Sequence, residues 1–128
     1  IVLLLPEKPD ESAKKISESI SQHFQKNISV IITDTMGRPC RNGIVGFTIG
    51  SHNIECLLDE RGKKDLYDNE LKVTQIGIAD ELAAAASLLM GQAAQKKPVV
   101  LIKGYKFKQN NLSDSRSLIR SEEEDLFR

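Results

Sequence analysis

The chain reads as an α+β protein: a two-layer sandwich in which a mixed β-sheet carries helices packed on one face. Three observations predict this class. Residues 11–25 repeat apolar side chains at helical steps, β-rich apolar runs recur at 28–33, 44–49 and 99–102, and strands and helices mix without the strict alternation of a doubly wound fold. At 128 residues, one domain spanning 1–128 is expected, long enough to bury a core.

The opening Ile1-Val-Leu-Leu-Leu5 predicts a first strand, ended by Pro6 and Pro9. It is too short to cross a bilayer and no basic region precedes it, so it reads as neither anchor nor signal peptide. A start inside an apolar run, without an initiator Met, suggests a piece of a longer protein. Asp10 suits an N-cap for a helix over 11–25, with Ala13, Ile16, Ile20 and Phe24 on the inner face and Lys14, Lys15, Glu18 and Gln22 on the outer. After a turn at Lys26 and Asn27, residues 28–33 form a second strand. The intervening crossover predicts that the first two strands are parallel neighbours.

Residues 36–43, rich in Gly, Pro and Arg, read as a loop. Runs at 44–49 and 54–58 flank Gly50-Ser-His-Asn53 and predict an antiparallel pair. The charged stretch 59–69 reads either as a solvated loop or as a functional segment. Residues 73–90 predict the most buried helix, given strong helix propensity by Ala83-Ala-Ala-Ala86 and ended by Gly91. Val99-Val-Leu-Ile102 predicts a final strand, and 105–128 a polar tail, extended or touching a second subunit.

Eighteen Lys and Arg balance eighteen Asp and Glu, so no global field draws the chain to nucleic acid or an acidic membrane. Cys40, Cys56, His23 and His52 lack the paired spacing of a zinc site, and two free thiols in a reducing cytosol is the better reading. Neither histidine stands near a nucleophile pattern, and neither G-x-x-x-x-G-K-[ST] nor G-x-G-x-x-G occurs. No catalytic residue is singled out.

Two stretches could carry chemistry. In Ile28-Ser-Val-Ile-Ile-Thr-Asp-Thr-Met-Gly-Arg-Pro39 an apolar strand is expected to end in Asp34 and Thr35, hard oxygen donors for a cation, with Arg38 suited to a phosphate. The plainer alternative is a turn in which Asp34 or Thr35 closes a local side-chain to backbone hydrogen bond. Gly91-Gln-Ala-Ala-Gln-Lys-Lys97 also follows a regular element, and the two turns could converge on a metal-nucleotide site.

Asp34-Thr-Met-Gly-Arg-Pro39, Leu58-Asp-Glu-Arg-Gly-Lys-Lys-Asp-Leu-Tyr67, Ala79-Asp-Glu-Leu-Ala-Ala-Ala-Ala86 with Met90-Gly-Gln92, and Pro98-Val-Val-Leu-Ile-Lys-Gly104 stand in the order of one family. The sequence resembles the coenzyme F-420:L-glutamate ligases, as the C-terminal half of such a ligase. The resemblance implies a cytoplasmic, homodimeric enzyme that adds L-glutamate to coenzyme F-420-0 with GTP and magnesium or manganese, through an acyl phosphate. It implies metal contacts at Asp34, Thr35 and Gln92, and GTP contacts along Met90, Gly91, Gln92, Ala93, Ala94, Gln95, Lys96 and Lys97. Arg38, Arg41, Arg61 and Lys64 match motif positions suited to phosphate or substrate carboxylate. It further implies that an N-terminal half holds the rest of the site, so that this segment alone is expected to be inactive. A related amide ligase with another amino acid or nucleotide, and a non-catalytic nucleotide- or metal-binding module, are the alternatives.

Overall fold

Pro9 opens the first helix, α1 (Pro9–Phe24), where its fixed φ is pre-organised and its missing N–H would have had no intrahelical partner. In the computed structural model, which describes residues 4–109 and 115–125, the boundary residue is Lys8 and no side chain caps the helix. Asp10, expected as the cap, lies inside the first turn and reaches across the fold. Its Oδ1 accepts the Ser51 N–H at 2.7 Å and its Oδ2 the Ser115 N–H at 3.3 Å.

Gln25 takes a left-handed conformation (φ 51°) that ends α1, and the Lys26 N–H closes on the Ser21 carbonyl at 3.1 Å. The chain then turns back along its own helix. Ser17 Oγ donates to the Ile28 carbonyl at 2.5 Å, and Ser21 Oγ accepts the Ile28 N–H at 3.1 Å. Ile28 spends both backbone groups on α1, so β1 (Val30–Arg38) starts later than its apolar run.

β1 pairs antiparallel with β2 (Arg41–His52) across a turn made by Pro39 and Cys40, the latter at φ 57°. This corrects the expected loop at 36–43. Met36 stands opposite Val45, Gly37 opposite Ile44 and Arg38 opposite Arg41, so backbone pairing holds a ribbon that lacks the burial pattern of a strand. The register slips between Ile32, opposite Gly50, and Thr33, opposite Thr48, leaving Ile49 as the extra residue of a β-bulge.

Both helices pack chiefly on β2, and two glycines let them approach. A Cβ on Gly50 would stand 2.5 Å from the Pro9 carbonyl carbon, and one on Gly46 would stand 2.6 Å from the Ala83 carbonyl oxygen. α2 (Ile78–Met90) begins after Gly77, later than its apolar pattern, because Gln75 and Ile76 form β4 (Gln75–Ile76) against β3 (Leu58–Asp59). It buries Ala79 and Ala83 fully but leaves Leu88 85% and Leu89 61% exposed. Ile54, Cys56 and Ala79 form the core cluster, with Ile31, Leu82, Phe107 and Leu118 packed around it.

The α+β class stands: two helices pack with two small antiparallel sheets. Several strand assignments do not. Among the described residues both ladders are antiparallel; Leu4 and Leu5 form no strand, and residues 1–3 of the expected first strand lie outside the described residues. Residues 54–57 are not a strand paired with 44–49, because Asn53 (φ 61°) turns Ile54 and Cys56 into the core. Residues 99–102 have the composition of a strand but no ladder partner among the described residues, and Val99 is 82% exposed. The tail does not extend away throughout: Ser115–Leu118 form a short 3-10 turn held to Asp10 and to the Ile49 carbonyl.

Asp10→Ala should lower stability by about 2–3 kcal/mol, because it strands the fully buried Ser51 N–H. Gly50→Ala should lower it by about 2 kcal/mol through overpacking against Pro9. In both, urea denaturation should show an earlier midpoint at unchanged slope.

Candidate functional site

Asp34 and Thr35 sit in the middle of β1 rather than at its end, because the chain pairs on to Arg38. Asp34 stands opposite Phe47 and Thr35 opposite Gly46, with no slip between them. Alternation therefore sends the two side chains to opposite faces of the ribbon. Asp34 Oδ1 accepts the Thr35 N–H at 2.7 Å, the local bond of the plainer reading, formed here in a strand and not in a turn. Asp34 also has a second carboxylate oxygen.

Thr35 lies on the face that α2 covers, since its partner Gly46 touches Ala83 and Ser87. Asp80, at the start of α2, accepts the Thr48 N–H at 2.8 Å. Asp80 at Thr48 and Ser87 at Gly46 show that α2 runs antiparallel to β2, with its C-terminal end directed toward the Arg38–Arg41 end of the hairpin. The turn after α2 is thereby brought along the ribbon that carries Asp34 and Thr35, and Gln92 follows Ser87 by little more than one helical turn. Gln92 is exposed.

That turn has a defined shape. Gly91 adopts φ 72° and ψ 178°, a region essentially closed to side-chain-bearing residues, and Lys96 is left-handed at φ 54°. Gln95 Oε1 accepts the Ala93 N–H at 2.7 Å. Met90, Gly91, Ala93, Lys96, Lys97 and Pro98 line an open depression of about 470 Å³, and the charged residues of that lining are Lys96 and Lys97. Carbonyls at a helix C-terminus favour a cation, and the lysines favour an anion, so the turn offers both halves of a metal-phosphate pair.

The four basic candidates separate into two places. Arg38 and Arg41 face each other across the end of the β1–β2 hairpin, where Arg38 Nη2 donates to the Asn42 carbonyl at 3.3 Å. Arg38 Nε is buried without a hydrogen-bond partner among the described residues. Arg61 and Lys64 instead lie on the exposed arm between β3 and β4. There Arg61 is paired with Asp59 and Lys64 with Asp68 at 3.2 Å. The Arg61 side chain, through hydrogen bonds and charge, holds the Asp59 carboxyl down at about 2. The arm is a braced hairpin rather than a free loop: at its tip Asp65 accepts the Tyr67 and Asn69 N–H groups, and these bonds lower its pKa.

Among the described residues no three His, Cys, Asp or Glu side chains gather to hold a metal. Asp34 thus belongs to no cluster of three such groups. Cys40 is exposed at the hairpin turn and Cys56 is buried, and neither forms a disulfide. Among the described residues no helix is long and apolar enough to cross a membrane. Asp10 and Asp80 carry more of the fold than sequence reasoning allowed, because an Asp in a first helical turn signals only local charge complementarity, not a partner strand.

Comparison with known proteins converges on one family. The F420-0:Gamma-glutamyl ligase family model matches residues 1–104. The coenzyme F420:L-glutamate ligase of Methanocaldococcus jannaschii is 47% identical over 127 residues, covering 99% of this chain and 51% of the relative. The namesake from Methanopyrus kandleri is 42% identical, covering 99% and 52%, and that from Archaeoglobus fulgidus 43%, covering 99% and 50%. The chain spans about half the length of the curated relatives it matches.

Gly91→Ala should strain the turn by about 1–3 kcal/mol, read as a lower thermal midpoint. For Asp59, a folded pKa below the usual carboxylate value means its pairing with Arg61 is present above about pH 4 and lost as pH falls through about 2. Carboxyl NMR titration should find that midpoint, and Arg61→Gln should return it toward 3.8.

Proposed function

Because the chain belongs to the F420-0:Gamma-glutamyl ligase family, we propose that it supplies the metal- and nucleotide-binding wall of a GTP-dependent enzyme joining L-glutamate to coenzyme F420-0. The observation that carries this reading is the run of α2 along β2, which brings the Met90–Lys97 turn toward the ribbon bearing Asp34 and Thr35. The relatives' shared name supports the substrates.

In this reading Asp34 holds a magnesium or manganese ion through its carboxylate, and Gln92 through its amide oxygen. The Asp34 carboxylate and the Thr35 hydroxyl lie on opposite faces, the hydroxyl on the α2 side, so the ion is assigned to the edge of β1, which both faces border and where Thr35 joins by its main-chain carbonyl. The ion offsets charge on the phosphates of GTP when bound. Lys96 and Lys97 hold the phosphates, and Arg38, with an unsatisfied guanidinium N–H, and Arg41 hold a phosphate or the acceptor carboxylate. A carboxylate oxygen of the acceptor attacks the γ-phosphorus and GDP leaves. The glutamate amine then attacks the acyl carbon, loses a proton and expels phosphate. Arg61 and Lys64, already paired within their arm, brace that arm in this scheme.

One carboxylate is too little charge for a complete site. We assign the remaining donors to sequence matching the other half of the relatives, and the exposed Leu88, Leu89, Val99 and Leu101 to contacts within a longer protein or a homodimer. A full-length protein containing this segment, given GTP, L-glutamate, coenzyme F420-0 and magnesium or manganese, should add glutamyl residues detectable by mass spectrometry. Asp34→Asn should slow that reaction about a hundredfold or more while leaving the fold intact. Binding of metal-GTP without any extension would favour the non-catalytic module instead.

A further inference from the structure

Gln95 uses its amide oxygen inside its own turn. Oε1 accepts the Ala93 N–H at 2.7 Å, and only the oxygen of the amide can accept from an N–H. The same side chain occupies the space a Cβ on Gly91 would need: that atom would stand 2.3 Å from Gln95 Cδ and 2.6 Å from Oε1. Gly91, in a conformation reserved for glycine, and left-handed Lys96 bracket the bond. Three features of one short segment thus fit a single closed shape, whose wall is the depression carrying Lys96 and Lys97.

We infer that Gln95 is a positioning residue, a clamp between Gly91 and Ala93 that pre-forms the turn for an anionic ligand, rather than a metal or nucleotide ligand through its amide oxygen. The inference rests on the proposed nucleotide role of this turn for its consequence, though not for the clamp itself. Pre-forming the turn removes the ordering entropy that a flexible segment would lose on binding. It also withholds the Ala93 N–H from phosphate, leaving the lysine ammonium groups to supply the positive charge.

Amide hydrogen exchange and binding of magnesium-GTP, both measured on a full-length protein containing this segment, separate the two parts. In the ligand-free chain the Ala93 amide should exchange about fivefold or more slowly than in Gln95→Leu, the effect of one hydrogen bond. Gln95→Glu, which keeps an acceptor oxygen at the same reach, should retain the protection. Gln95→Leu should keep the thermal midpoint within a few degrees yet bind magnesium-GTP about five- to tenfold more weakly by calorimetry. Equal Ala93 exchange in the wild type and Gln95→Leu would overturn the clamp. Lost protection with unchanged affinity would overturn the positioning role. Failure of the wild type to bind magnesium-GTP would overturn the nucleotide reading and the positioning role together, with the exchange data still deciding the clamp.

Discussion

The architecture depends on two carboxylates that hold one strand. Among the described residues β2 has a ladder partner on one side only, and Asp10 from the first turn of α1 and Asp80 from the first turn of α2 accept the Ser51 and Thr48 N–H groups. Charged acceptors make such bonds short and strong, and each also suits the positive end of its own helix. Gly46 and Gly50 allow the helices to come close enough for the bonds to form. The hydrophobic core is correspondingly small: the buried apolar side chains among the described residues are Ala13, Ile54, Cys56, Ala79 and Ala83. Polar bonds between helix and strand do work that a larger domain would assign to packing.

The same clasp orients the candidate site. With Asp80 at Thr48 and Ser87 at Gly46, α2 runs toward the hairpin end. The carbonyl end of α2 is thereby directed toward the hairpin end that carries Arg38 and Arg41. The exposed arm between β3 and β4 is charge-paired at Asp59, Glu60 and Asp68 and hydrogen-bonded around Asp65. Its basic residues, Arg61 and Lys64, are paired within the arm, whereas Arg38 and Arg41 face each other at the end of the β1–β2 hairpin.

Local signals were legible wherever the cause was local. The helical period of residues 11–25 gave α1 to within a residue or two at each end, and Gly91 ended α2 as its backbone freedom allows. The hairpin was missed because Met36, Gly37, Arg38 and Gly43 carry no alternating burial, and only cross-strand backbone pairing makes them strand. Val99-Val-Leu-Ile102 failed in the opposite sense, since β propensity describes a surface that fits a sheet and cannot furnish the neighbouring strand.

By itself the sequence determined the α+β class, the two helices and a family likeness that comparison bore out, and it singled out Asp34, Thr35 and the Gly91–Lys97 turn as candidates. Only the tertiary structure decided that Asp34 and Thr35 present opposite faces, that Arg61 and Lys64 are already paired, and that Gln95 turns inward. The reason is physical. Residue type and period set what a side chain can do and where its own helix runs, whereas register, facing and partners are set by contacts between segments far apart in the chain.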